Sequence, residues 1–151
     1  MLIARCALGA EAERTVVLGF GGAAELDLPG ASTHGGGNVM LEYEAIDGWL
    51  EFELGVSALS VHGGLEVPID LLVKKPFRLS DGAELMIGLG PEVVHVTGPD
   101  HGTFGGIEFV ADFMFWPTHH FGWWLEPSYD LVFQNRFSNG FGCTGGLLFG
   151  W

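Results

Sequence analysis

From Thr15 onward one period dominates this chain, and it is two. Strict alternation of apolar and polar side chains puts one kind on each face of a β-strand, a pattern a helix cannot use. The alternating stretches are 15–28, 38–46, 49–58, 65–74, 83–96, 106–115, 123–133 and 141–151. In 38–46, Val39, Leu41 and Tyr43 oppose Glu42 and Glu44; in 49–58, Phe52, Leu54 and Val56 oppose Glu51, Glu53 and Ser57. In 65–74, Val67, Ile69, Leu71 and Val73 oppose Glu66, Asp70 and Lys74. A stretch of roughly ten residues is the length at which a tilted strand crosses a bilayer. The spacing therefore predicts an all-β fold, an eight-stranded antiparallel up-and-down transmembrane barrel over residues 15–151.

The connections differ in kind. Residues 29–37, 59–64, 97–105 and 134–140 are rich in Gly, Ser, His, Asn and Asp and read as outward loops. Asp47-Gly48 suits the positive φ of a type I′ hairpin turn. With 75–82 and 116–122 it closes the other end, beside both termini, on the periplasmic side. That turn also fixes a register: Ile46 pairs with Trp49, Glu44 faces Glu51, Glu42 faces Glu53, Tyr43 faces Phe52 and Leu41 faces Leu54. Like meets like, and a slip of one residue would mix the faces.

Composition narrows the function. Mean hydropathy is +0.32, yet no run approaches the ~20 apolar residues of a membrane-spanning helix. A net charge of −13, from 19 acids against 6 bases, argues against nucleic acid as a partner. Fourteen of the 19 acids fall in the polar phase, which becomes the lumen of a membrane barrel. Glu42, Glu44, Glu51, Glu53 and Asp70 form an expected acidic cluster with Lys74. Glu25, Asp27, Glu66, Glu92, Glu108 and Asp130 form an upper tier, while Glu84, Asp112 and Glu126 complete the phase. Like charges directly opposed call for cations or protons between them, or a hydrated salt-bridge network. Eight strands enclose little more than their own side chains, so a wide pore is not expected.

Trp49, Trp116, Trp123 and Trp151 lie near strand ends and are expected as interfacial aromatics. No cofactor, metal centre or catalytic group is indicated. His34, His62 and His101 occupy loops, His119-His120 a turn, and their spacing fits no zinc signature. His95 lacks a serine in an H-x-S pattern, so no nucleophilic triad is suggested. Residues 1–14 read as a signal-peptide remnant, with Ala10-Glu11-Ala12 as an A-x-A-like site, or as a disordered tail. Cys6 follows Arg5, which does not suit lipidation.

The terminal aromatic strand 141–151 resembles the closing strand of bacterial outer-membrane barrels, whose assembly machinery reads a C-terminal aromatic. The layout of 15–151 is similar to the eight-stranded barrels of the outer-membrane protein A and X type. The stretches KKPFRLS (74–80), ELMIGLGPE (84–92), DFMFWP (112–117) and GWWLEPSYD (122–130) resemble a proteobacterial group described as transporters. The resemblance implies an outer-membrane location with lipid and the assembly machinery as partners. A structural or ligand-binding envelope barrel with a narrow acidic lumen is the leading expectation. A narrow conduit for cations or small solutes is the second, and a soluble barrel carrying a lipophilic ligand the third.

Overall fold

The computed structural model describes residues 14–99, 101–133 and 137–151. The expectation for residues 1–14, Cys6 included, falls outside the described residues except for Arg14, as does the loop residue Asp100. Eight strands follow in order: β1 (Val16–Asp27), β2 (Ser32–Ile46), β3 (Leu50–Val61), β4 (Gly64–Ser80), β5 (Ala83–Val96), β6 (Gly102–Phe115), β7 (Phe121–Phe133) and β8 (Phe137–Gly150). Each pairs antiparallel with the next, and β8 returns to β1 to close the barrel. At the seam Val16 and Trp151 exchange backbone hydrogen bonds, N–H to carbonyl, at 3.1 and 2.9 Å. Closure removes the free edges that an open sheet would expose.

The register of the strands holds, but the turn is not the expected type I′ pair: only Gly48 takes a positive φ, and Ile46 pairs with Leu50 instead of Trp49. Glu42 faces Glu53, Glu44 faces Glu51, Tyr43 faces Phe52 and Leu41 faces Leu54. Gly48 takes φ 58°, and its N–H donates to Glu44 Oε1 at 2.7 Å. A register shift between Glu44 and Ile46 accommodates the turn.

The connections are shorter than expected. Strands run 12 to 17 residues, and segments read as loops or turns are largely strand. Residues 32–37 continue β2, where Gly35, Gly36 and Gly37 pair with Ser60, Leu59 and Ala58. Their inward residues Ser32, His34 and Gly36 keep the period of two, and ladder hydrogen bonds outweigh the poor strand propensity of glycine. At Gly36 a Cβ would run into the Ala58 backbone, so the close approach of the strands itself requires glycine. The 59–64 loop contracts to His62-Gly63, and the 75–82 turn to Asp81-Gly82. Lys75, Phe77 and Leu79 continue the outward phase past Pro76, which lies within β4 opposite Met86.

The outer wall is apolar and exposed along its length, with Leu71 50% and Leu89 56% accessible near the middle of their strands. Trp49, Phe77, Trp123 and Trp151 are exposed at the end that carries the termini. Phe115 stacks on Trp123 with ring centroids 4.1 Å apart. Lys75 projects into this rim: its Nζ lies 5.5 Å from the Trp49 ring and donates to the Gly48 carbonyl at 3.0 Å. An apolar stem with its charge held at the polar edge is the behaviour of a snorkelling lysine.

Trp116 corrects the expected aromatic set. It is 7% exposed and sits inside, not on the outer rim. With Val17, Met40, Met86, Met114, Trp124 and Leu148 it builds an apolar cluster within the barrel. The inward phase carries bulky apolar residues as well as acids, so the lumen is not lined by carboxylates alone. Arg14 caps this cluster, its guanidinium carbon 3.9 Å from the centre of the Trp116 ring.

Candidate functional site

Lys74, on the inward phase of β4, is the centre of the interior. Its side chain has no exposed surface. Gly88 on β5, paired with Lys74, leaves the room its stem occupies: a Cβ there would stand 2.7 Å from Lys74 Cγ. The ammonium donates to Glu53 Oε2 on β3 at 2.5 Å, Asp112 Oδ2 on β6 at 2.9 Å and Glu126 Oε2 on β7 at 2.6 Å. Glu42 on β2 approaches as an ion pair, with Oε1 3.5 Å from Nζ. All four carboxylates are buried. Charge-assisted hydrogen bonds of this kind are strong, and removing one partner strands the rest in a low dielectric.

Polar side chains extend the cage. Thr144 Oγ1 donates to Glu126 Oε1 at 3.4 Å, and Trp124 Nε1 donates to Thr144 Oγ1 at 3.3 Å. Asp70 Oδ1 accepts from the Gly55 N–H at 3.1 Å, and Asn38 Nδ2 donates to Ser57 Oγ at 3.0 Å.

The acids grouped by sequence fall into separate places. Glu42, Glu53 and Lys74 meet in the cage. Glu44 and Glu51 line a cavity of about 170 Å³ at the turn end, together with Glu42 and Glu84. Asp70 joins Glu25, Glu92, Glu108 and Asp130 around a water-sized void of about 30 Å³ on the opposite side of the cage. Asp27 and Glu66 lie further out, beside His34 and His62, in a cavity of about 250 Å³. There Asp27 Oδ2 lies 2.9 Å from His34 Nε2 and accepts from Ser32 Oγ at 3.1 Å. Asp112 and Glu126, both lumen-phase acids, were not grouped with Lys74 by sequence. They reach it from two and three strands away, and only the stagger of the closed barrel brings them level.

Two further histidines are held by single hydrogen-bonding partners. His95 Nδ1 lies 2.8 Å from Thr103 Oγ1 on the outer face, and His120 Nδ1 lies 2.9 Å from the Gly150 carbonyl. Cys143 is exposed on the outer wall. Among the described residues, the metal-compatible group of ligating side chains is Glu42, Glu53 and Asp112.

A closed eight-stranded antiparallel barrel with an apolar outer wall and a packed, charged interior has the fold of the small bacterial outer-membrane barrels. Neisserial surface protein A is similar with a TM-score of 0.71 at 11% identity, covering 90% of this chain and 96% of that one. The N-terminal β-barrel domain of OprF from Pseudomonas aeruginosa gives 0.60 at 14%, covering 90% and 98%. Ail, the attachment invasion locus protein of Yersinia pestis, gives 0.53 at 14%, covering 89% and 96%. At these identities the likeness establishes the fold, in keeping with the outer-membrane protein A and X type. No protein-family model and no curated protein matches the sequence.

Proposed function

We propose that this chain spans the bacterial outer membrane as a barrel with a filled, acidic lumen, and that its role in the envelope is structural or ligand-binding. The observation that carries this reading is sidedness. Large apolar side chains such as Leu54, Leu71, Ile87 and Leu89 stand exposed on the outer wall, while the buried charges face inward. Lipid is the solvent that suits such a surface, since a water-facing apolar patch of this extent is an aggregation liability. A soluble carrier of a lipophilic ligand would need the opposite arrangement. Lipid and the outer-membrane assembly machinery are the partners this reading implies.

The packing favours architecture over transport. Lys74, Leu72, Met86 and Leu148 have no exposed surface, so the middle of the lumen is occupied by side chains. The cation-conduit reading draws on the acids above and below the cage, which would require Lys74 to leave its partners. Two measurements test the proposal on the full chain. Fractionation of expressing Gram-negative cells should recover it with the outer membrane, and planar bilayers should show no steps in conductance. Recovery from a soluble fraction overturns the location, and reproducible cation-selective steps lost on Glu42→Gln and Glu53→Gln overturn the filled lumen.

A further inference from the structure

Lys74 has three N–H groups and four carboxylate neighbours. An ammonium offers three hydrogen-bond donors, and all three are spent on Glu53, Asp112 and Glu126. Glu42 is the carboxylate left over. Its side chain is 1% exposed, yet neither Oε1 nor Oε2 has a hydrogen-bond partner. Asp112 Oδ1 is in the same condition, in a residue with no exposed surface. A buried ionised carboxylate without donors is costly, and such groups are paired or coordinate metals. A cation that binds through oxygen would supply the missing partner, because the unbonded atoms of Glu42 and Asp112 are oxygens.

The ligand chemistry narrows the kind of cation. One oxygen from each of Glu42, Glu53 and Asp112 can be chosen so that all three lie within 4.8 Å of one another. Calcium binds oxygens at about 2.3–2.6 Å, so two ligands across the ion stand up to about 5 Å apart. Magnesium demands near-ideal octahedral geometry and gives up its waters reluctantly, which a buried group of three carboxylates suits less well than the flexible shell of calcium. Zinc and the later transition metals favour nitrogen and sulfur ligands, which this group lacks. One ammonium among four carboxylates leaves a triple negative charge if all are ionised, and a divalent ion removes two of the three.

An entry route exists. Glu42 also lines the turn-end cavity of about 170 Å³, where Glu44, Glu51 and Glu84 stand between it and the outside. Arg14 and Arg78 line the same cavity but are outnumbered by its carboxylates, Asp47 and Asp81 included, and a net acidic cavity raises the local concentration of cations. Water held in the cavity would complete a coordination shell of about six to eight oxygens.

We propose that Glu42, Asp112 and Glu53 hold a calcium-type divalent cation beside the Lys74 ammonium, loaded from the cavity at the end that carries the termini. The site rests on the acidic, filled lumen proposed above but not on the cellular location. It differs from the salt-bridge cage in giving a partner to Glu42 and to Asp112 Oδ1, which the Lys74 hydrogen bonds leave without one.

The test uses the full chain folded in detergent and stripped with a chelator, its folded state checked by heat-modifiable migration. Calcium titrated calorimetrically should bind at one site per barrel, and magnesium at least tenfold more weakly. Glu42→Gln should weaken calcium binding at least tenfold, and Asp112→Asn likewise. Glu25→Gln, at the other end of the lumen, should leave it unchanged. A folded wild-type barrel without saturable calcium binding overturns the site, as does a folded Glu42→Gln barrel that binds as tightly as wild type. If Asp112→Asn does not fold, the Glu42→Gln and Glu25→Gln pair decides. A chain that never folds in detergent would instead count against the membrane reading, so the two failures are distinguishable.

Discussion

Lys74 and Glu42 meet as an ion pair without a hydrogen bond. Nζ lies 3.5 Å from Glu42 Oε1, while its three hydrogens go to Glu53, Asp112 and Glu126. Lys74 therefore secures β3, β6 and β7 from its own place on β4, and Glu42 is held by charge alone. The consequences of losing the two residues should differ sharply.

Lys74→Met removes the ammonium from four buried carboxylates and should cost about 3–5 kcal/mol, as for breaking any buried ion pair from one side. Glu42→Gln removes one surplus charge and leaves Lys74 its three hydrogen-bonded partners, so it should cost clearly less than Lys74→Met when no divalent ion is present. Guanidinium unfolding of the detergent-folded chain in chelator, followed by tryptophan fluorescence, measures both. Equal losses for the two variants would contradict the unequal pairing.

Gly88 tests the packing of the lysine stem. A Cβ at this position would stand 2.7 Å from Lys74 Cγ and 3.0 Å from Val110 Cγ2. Gly88→Ala should destabilise by about 1–3 kcal/mol through overpacking. At Gly105 a Cβ meets nothing within 4 Å, so Gly105→Ala should shift the same unfolding midpoint hardly at all.

The outer wall should show a depth profile. Leu71 lies near the middle of β4 and Leu79 near its end. Leu71→Arg should cost about 2–4 kcal/mol and Leu79→Arg about 0–1 kcal/mol, if lipid covers the wall and its midplane crosses β4 near Leu71. Unfolding of the barrel from phospholipid vesicles reads the difference. Equal costs at the two positions would place the midplane elsewhere or remove the lipid.

Tryptophan environment separates the two faces. Trp49, Trp123 and Trp151 are exposed on the outer wall, while Trp116 and Trp124 are buried inside. In single-tryptophan variants, lipids brominated near the headgroup should quench Trp123 strongly and Trp124 weakly. The reverse order would invert the assigned phase of β7.

How far the sequence reaches is visible in particular residues. Period-two alternation is a local property, so Leu41, Leu54 and Leu71 declare their face wherever the strand ends. Asp47-Gly48 carries its own register, and the pairing of Glu42 with Glu53 follows from it. Boundaries were less legible, because Gly35–Gly37 and Pro76 look like breakers when read alone. In the barrel their neighbours supply a continuous ladder. The cage was half legible: Lys74 and Glu53 lie on adjacent strands, two residues from directly opposite and on the same face, since Lys74 faces Glu51. Asp112 and Glu126 depend on the shear of the whole barrel, which no single turn encodes. Trp116 follows the inward phase of Asp112 and Met114, and extending that alternation by two residues would have placed it inside.

The most direct measurement of the central claim is electrophoretic migration of outer-membrane fractions with and without heating in detergent. A closed transmembrane barrel should run as a compact, fast-migrating species when unheated, and shift to its full chain-length mobility after boiling. It should also require detergent for extraction. A chain that stays soluble without detergent and migrates identically in both conditions would contradict the account.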